Sequence, residues 1–453
     1  MKAVYFVGIG GIGMSAIARY YIKKGIAVGG YDKTPSDLTR QLESEGARIH
    51  YTDDVALIPD EFRSAADTLV VYTPAIPKDH TEMQWFMAQG FDMQKRAQVL
   101  GTLTRSLKAL CVSGTHGKTT TSSMTAHILH QSIGCNAFLG GITKNYGTNY
   151  LIDADSPWVV IEADEFDRSF HHLTPWATVV TSTDSDHLDI YGTREAYLES
   201  FAHYTSLVQP GGYVIAHVGQ DLVPAPQAGV TVYSYGREEG DFHAANLRIG
   251  GGEIVFDLVS PLGNIADVQL GVPVAINIDN GIAAMALAQL AGVPAADIRR
   301  AMATFGGVDR RFDFRVKTDR VVYLSDYAHH PEELRQSILS IRQLYPTRRV
   351  VGAFQPHLYT RTRDFYREFA DALSLLDEVL LLPIYPAREL PIEGVNSQLI
   401  ASHLKLGTPH RLVTTDELLR IVQSEPVDVF MTLGAGDLEN LSGTIASTLQ
   451  QRI

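Results

Sequence analysis

The sequence predicts an α/β protein of three domains, and three observations predict it. The chain has 453 residues, more than one hydrophobic core serves at roughly 150 residues per domain. A pattern of strand, glycine turn and helix starts afresh three times along it. Its apolar strands alternate with amphipathic helices, which builds parallel sheets covered on both faces, with ligands gathering at the carboxyl ends of the strands. The expected domains are a Rossmann-like unit at 1–106, a P-loop-type central unit at 107–316 and a second Rossmann-like unit at 317–453.

The first restart is the apolar run Ala3 to Val7, the turn GIGGIG, and a helix from about Ser15 whose Ile17, Tyr20 and Tyr21 share one face until Gly25; a second strand ends at Asp32. The next is Leu107 to Val112, then SGTHGKTTT, then a helix with Met124, Ile128 and Leu129 on one side that stops near Gly134. The third is RVVYLSDYAHH around Val321, the helix PEELRQSILSIRQLY, and strand-like runs at RVVGAF, EVLLLPI and VDVFMTL. Tyr213 to Val274 is richer in glycine and β-formers, so the middle domain should carry an extra β subregion.

Composition excludes several classes. Hydrophobic residues are 45% and charged residues 20%, the proportions of a globular protein rather than a disordered or fibrous one. With 38 Lys and Arg against 51 Asp and Glu, the net charge of -13 has the wrong sign for coating nucleic acid or an anionic membrane, so local groups must hold any phosphate ligand. Cys111 and Cys135 alone exclude a disulfide scaffold and a Cys-rich zinc site, and suit a reducing cytosol. No apolar run reaches the roughly 18 residues of a membrane span, and the N-terminus opens into a strand without a basic leader. A soluble cytoplasmic protein is expected.

Gly8, Gly10 and Gly13 form G-x-G-x-x-G between a strand and a helix, with Asp32 closing the next strand. This is the dinucleotide fingerprint in its proper context, where glycines let the backbone approach a diphosphate at a helix N-terminus. It fits NAD(P), another diphosphate nucleotide, or a tight turn. Gly114, Thr115, His116, Gly117, Lys118 and Thr119 form a shortened P-loop, in which backbone amides and Lys118 hold the β- and γ-phosphates and Thr119 takes Mg²⁺. Glu162 ends one apolar strand, and Asp186, His187 and Asp189 follow another; both ends should share the edge of the phosphate loop. Glu162 fits a Mg²⁺ shell with Thr119, and His187 a second divalent ion or a phosphoryl oxygen. Asp164, Glu165 and Asp167 read as solvated or supporting acids rather than ligands.

Ten ordered blocks together resemble the Mur ligases, the ATP-dependent amide-forming enzymes of peptidoglycan synthesis, over nearly the whole chain. They are VGIGGIGMS, VVYTPAIP, SGTHGKTTT, EADE, DHLDIYGT, Asn277-x-x-Asn280, DRRFDFR, DYAHHPEE, FQPHLYTRT and LGAGD. The resemblance is greatest to the branch that adds L-alanine. It implies that the first domain holds UDP-N-acetylmuramate, through Gly8, Gly10, Gly11, Gly13, Met14, Ser15, Asp32, Thr73, Pro74 and Ala75. The middle domain then binds ATP with Gly114, Thr115, His116, Gly117, Lys118, Thr119 and Thr120, and Asn277 and Asn280 hold the adenine end. Arg311 and Asp326 reach the nucleotide when the third domain closes. Thr119 and Glu162 hold one Mg²⁺ or Mn²⁺ and His187 a second, while Lys118, Glu162, His187 and Arg311 are the catalytic set. Tyr327, His329, His357 and Arg361 surround the amino acid.

The implied reaction joins L-alanine to the lactyl carboxylate of UDP-N-acetylmuramate through an acyl phosphate, in a monomer or homodimer. Two departures qualify it. Some relatives use a carbamylated lysine as a metal ligand, yet no lysine lies between Lys144 and Lys317, as in the alanine-adding branch. Leu358 replaces the arginine of the family's His-Arg-Tyr-Thr-Arg, which leaves Arg361 or Arg363 to grip the amino acid carboxylate. The rival within the family is a recycling ligase that adds a preformed tripeptide. An NAD-dependent dehydrogenase leaves GTHGKTT and Glu162 without a role, and a non-catalytic nucleotide sensor is the remaining reading.

Overall fold

The structure, a computed structural model, describes residues 1–73, 76–77, 79–184, 188–250, 253–309, 312–387 and 389–452. The chain divides into two compact units. One comprises Met1–Asn246, Phe256–Val268 and Asp279–Phe305; the other comprises Leu247–Val255, Gln269–Ile278 and Gly306–Ile453. Three sheets carry the α/β fold.

The first sheet runs in the order Arg48–His50, Ala27–Tyr31, Ala3–Val7, Thr68–Tyr72 and Asp92–Lys95, parallel throughout. Strand order changes direction beside Ala3–Val7, the position at which open α/β sheets take their ligands. The helix that follows spans Ile12–Lys23, starting three residues before Ser15 because Gly11 serves as N-cap without any side-chain bond. Gly25, at φ 72°, ends it.

The second sheet has ten strands. Lys108–Ser113 lies near its middle, parallel to Ala177–Val180 on one side and Trp158–Glu162 on the other. Ala109, Leu110, Cys111 and Val112 are completely buried, the continuous apolar run that a strand covered on both faces requires. Burial pushes the Cys111 thiol up to about 12. The register opposes Glu162 to Val112 and Val180 to Ser113, so these strands end at one edge, as expected. The sheet departs from the parallel expectation at its rim, where Asn136–Thr143 pairs antiparallel with Thr148–Leu151. The short link permits that hairpin, with Gly147 at φ 66°. The expected β subregion is present as Tyr213–His217, Thr231–Gly236, Phe242–Gly250, Glu253–Val259 and Ile265–Gln269.

The third sheet runs Asp313–Lys317, Val322–Asp326, Val429–Leu433, Val350–Phe354, Glu378–Leu381 and His410–Leu412. All neighbours are parallel except the first pair. Asp313–Lys317, which contains the expected domain boundary, is an antiparallel edge strand whose charged DFRVK sequence hides its strand character. Among the described residues no helix is long and apolar enough to cross a membrane.

Candidate active site

Strand Lys108–Ser113 delivers the chain into two left-handed glycines, Gly114 at φ 126° and Gly117 at φ 81°. A Cβ on Gly114 would lie 2.1 Å from Thr181 Oγ1, and one on Gly117 would lie 2.6 Å from Asn280 Oδ1, so both positions exclude side chains. Helix Lys118–His130 then starts with no side-chain cap and no acid in its first turn. Its first N–H groups and positive dipole end are thereby left to an anion.

Lys118 is not solvated in this loop. Its ammonium donates to the carbonyls of Gly114 (2.6 Å) and Thr115 (3.3 Å) and to Glu165 Oε1 (2.8 Å). Glu165 is 1% exposed, and burial pushes its carboxyl up against the pull of Lys118. Of the two readings open for Glu165, solvated or supporting, its burial against Lys118 fits the supporting one. The chain turns sharply there through Asp167 and Arg168, both at positive φ, and Tyr191 donates to the Glu165 carbonyl at 2.5 Å. Asp167 itself stays exposed, and Asp164 accepts from the N–H of Phe166.

Thr119 Oγ1 donates to Glu162 Oε1 at 3.0 Å, while the N–H of Gly140 donates to Glu162 Oε2 at 2.9 Å. A Cβ on Gly140 would lie 2.4 Å from that carboxylate, so this glycine makes room for the acid. A hydroxyl and a carboxylate are hard oxygen donors of the kind Mg²⁺ takes together with substrate phosphates, rather than an all-protein cage. Thr115 Oγ1 bonds the Asp184 carbonyl, and the His116 N–H donates to Ser182 Oγ, fixing the loop from its far side. Thr120 is half-buried beside them. His187 lies outside the described residues, as do Asp186 and Arg311; of Asp189 only the backbone is described.

Asn280 touches the loop directly, accepting from Thr121 Oγ1 at 3.2 Å. Asn277, in the other compact unit, is buried with its amide donating to the Val272 carbonyl.

In the first glycine turn, Gly8 and Ile9 donate to the Tyr31 carbonyl and Gly10 donates to Asp32 Oδ2 at 2.7 Å. Gly8, at φ 91°, comes so near Thr73 that a Cβ would lie 2.8 Å from its methyl. Gly11 caps the helix by backbone alone; Met14 and Ser15 are buried, with Ser15 Oγ donating to the Ile12 carbonyl. Pro74 and Ala75 lie outside the described residues.

The second unit gathers the other predicted side chains. Asp326 ends a strand, accepts from Ser337 Oγ, and accepts from the Gly434 N–H at its carbonyl. The rings of Tyr327 and His329 are 5.2 Å apart, those of His329 and His357 6.1 Å apart. Burial, then His329 and Arg361, lowers His357 to about 4, and its Nδ1 is buried with no hydrogen-bond partner among the described residues. Leu358, at φ 73°, caps helix Tyr359–Leu373 and donates its N–H to Tyr385, whose ring stacks on His357. Arg363 is paired with Asp364, whereas no described residue forms a hydrogen bond or ion pair with Arg361. Sequence reasoning missed Gly140 and Tyr385, which reach the site through the fold.

Comparison with known proteins finds three domain models in order. Residues 3–108 match the catalytic domain of the Mur ligase family, 112–288 the Mur ligase middle domain, and 310–436 the Mur ligase glutamate ligase domain. The UDP-N-acetylmuramate--L-alanine ligase of Phocaeicola vulgatus is 61% identical, over 100% of this chain and 99% of that protein. That of Parabacteroides distasonis is 58% identical, over 100% and 98%. Among solved structures, UDP-N-acetylmuramate-alanine ligase from Thermotoga maritima superimposes with a TM-score of 0.79 at 27% identity, covering 100% of both chains. A murein peptide ligase from Psychrobacter arcticus, at 20% identity, TM-score 0.63 and 99% coverage of both, shares the fold.

Proposed function

The chain belongs to the Mur ligase family, and from that premise we infer that it joins L-alanine to UDP-N-acetylmuramate, using ATP, in peptidoglycan precursor synthesis. Full-length identity of 61% to a protein of that activity carries the reading. We place the three roles along the chain: sugar nucleotide on 1–106, ATP on 107–316, amino acid on 317–453. The reaction belongs in the cytoplasm, where ATP is available and the two buried thiols stay reduced.

In the proposed chemistry the lactyl carboxylate attacks the γ-phosphate of ATP, ADP leaves, and the amine of L-alanine displaces phosphate from the resulting acyl phosphate. A carboxylate approaching a triphosphate brings like charges together, so the site must supply positive charge where charge develops. Lys118 and the uncapped N-terminus of helix Lys118–His130 supply it from the protein. Thr119 and Glu162 are suited to hold Mg²⁺, which when bound neutralises phosphate charge and orients the transferring group; His187 is proposed for a second ion. Asn280 keeps Gly117 in place, and the adenine end is assigned to it and Asn277. Arg311 and Asp326 are proposed to act on the nucleotide.

For the amino acid, Arg361 is the cation free to take the carboxylate in place of the arginine absent at Leu358. His357, whose pKa burial lowers to about 4, is neutral near pH 7 and so adds no positive charge beside the ammonium, and Tyr327 and His329 bound the side-chain space. Arg361→Ala is expected to raise KM for L-alanine by one to two orders of magnitude, in line with roughly 1.5–3 kcal/mol for a charge-assisted contact, with KM for ATP unchanged. An unaltered alanine dependence in initial-rate kinetics would remove Arg361 from this role.

The deciding experiment is phosphate release with ATP, Mg²⁺ and UDP-N-acetylmuramate, comparing no acceptor, L-alanine and a tripeptide. Release that requires L-alanine is expected. Stimulation by the tripeptide alone would transfer the chain to the recycling reaction, and no release with any acceptor would leave a nucleotide-binding protein without catalysis.

A further inference from the structure

We propose that a cavity beside the third sheet binds an uncharged, largely apolar small molecule, and that its occupation tightens the amino acid end of the site; the coupling rests on the reading of His357 and Arg361 as that end. The cavity measures about 500 Å³ and lies within the second compact unit, in the range of about 300–1,000 Å³ usual for small-molecule sites. Leu381 ends strand Glu378–Leu381 and Leu412 ends its parallel neighbour His410–Leu412, and both line the cavity. It therefore opens at the carboxyl edge of the sheet, the edge from which Asp326 and His357 emerge and at which ligands of α/β sheets gather.

The lining sets the class of ligand. Leu381, Ile384, Val395 and Val413 are its buried apolar residues, while Leu412 is 48% exposed and Leu390, next to the lining residue Pro391, is 85% exposed. Apolar surface left open to water in a concavity gains by being covered. Among the described residues of the lining there is no lysine, arginine or histidine, and its one acid, Glu417, is already engaged, accepting from the N–H and hydroxyl of Thr414 at 2.7 and 3.0 Å. A phosphate or carboxylate would lose water there with no cation to meet it, which rules against ATP, the sugar nucleotide and free L-alanine as occupants. Tyr359, Asn396 and Gln398 also line the cavity, and their side chains form no hydrogen bond with any described residue; Asn396 even stands at a helix N-cap without making the cap bond. They are the few polar groups that orient a ligand in an otherwise apolar site.

Tyr359 joins this cavity to the amino acid end. It is the first residue of helix Tyr359–Leu373, which also carries Arg361, and its predecessor Leu358 is held at φ 73°. A leucine keeps that left-handed conformation only where its surroundings impose it. The surroundings are the segment from Pro383 to Pro391, which walls the cavity. Its Tyr385 accepts from the Leu358 N–H and donates to the Pro356 carbonyl, and its Glu389 accepts from the N–H of Thr360 at 3.0 Å and from the Thr360 hydroxyl. Ala387, in the same segment, is itself at φ 50°. A molecule seated against Tyr359, Ile384 and Pro391 favours this arrangement over one in which the segment moves away, and with it the placement of His357 and Arg361.

The test uses the full-length protein and two probes, indole and indole-3-acetate, which share a ring system and differ by a carboxylate. Calorimetric titration is expected to show indole bound with a dissociation constant of about 1 mM or lower, and indole-3-acetate weaker by about tenfold or more. Val395→Trp, which fills the cavity, and Leu412→Asp, at an exposed position where the fold is not at stake, should each weaken indole by about tenfold or more. Turnover of Leu412→Asp without indole should match wild type. At saturating indole, KM for L-alanine in phosphate release should fall about fivefold while KM for ATP stays constant. No indole binding, equal affinity for the two probes, or binding that neither variant weakens would overturn the site. A KM for L-alanine unmoved by bound indole would overturn the coupling. Absence of L-alanine-dependent turnover in a wild type that still binds indole would instead refute the amino acid reading beneath it.

Discussion

A Lys118→Ala variant is expected to lose about a thousandfold in kcat, the cost of removing one preorganised charge from a transition state, or about 3–4 kcal/mol. It is also expected to lose stability, because the ammonium is the buried partner of Glu165. Breaking such a pair from one side costs about 3–5 kcal/mol. The two effects separate in a double variant. Lys118→Met with Glu165→Gln removes the orphaned charge, so thermal unfolding should recover toward wild type while turnover stays lost. The instability should depend on pH with a definite sign. Burial raises the Glu165 carboxyl in the folded state, so its protonated form favours folding; the gap between Lys118→Ala and wild type should widen from pH 5 to pH 8. Wild-type turnover in Lys118→Ala would end the phosphate-loop assignment.

Glu162→Gln should be as damaging to turnover, by about 10²- to 10³-fold, with almost none of the structural cost. The amide can satisfy both existing contacts: its oxygen accepts from the Gly140 N–H and its NH₂ donates to Thr119 Oγ1, replacing the bonds now at 2.9 and 3.0 Å. What disappears is the negative charge that a divalent cation requires. The melting temperature should therefore hold within a degree or two while the Mg²⁺ concentration for half-maximal rate rises steeply. An unchanged Mg²⁺ dependence, measured as initial rate against metal concentration, would show that Glu162 is no ligand.

The parts of this site that were legible in the sequence are those where backbone geometry demands a particular residue. Gly114 and Gly117 could be read because a left-handed turn between strand and helix tolerates little else, and Glu162 because an acid at the end of an apolar run is out of place unless it has a task. For Glu165 solvated and supporting roles both stay open in the sequence, since nothing local tells a buried acid from a solvated one; its burial accompanies the turn at Asp167 and Arg168 and the bond from Tyr191, 26 residues away. The antiparallel rims at Thr148–Leu151 and Asp313–Lys317 escaped because short edge strands are covered on one face at most and so lack the apolar run that marks a central strand. The proposed choice of Arg361 over Arg363 rests on a fact outside the sequence, the ion pair between Arg363 and Asp364.

The Lys118 ammonium has three protons and three acceptors inside the protein, the carbonyls of Gly114 and Thr115 and the Glu165 carboxylate. ATP consequently gains from this lysine only the difference between two sets of hydrogen bonds, and the affinity measured for ATP understates how strongly the lysine and phosphate attract each other. The compensation lies in order. About 2 kcal/mol of rotamer freedom in a lysine is lost when the chain folds rather than when the nucleotide binds.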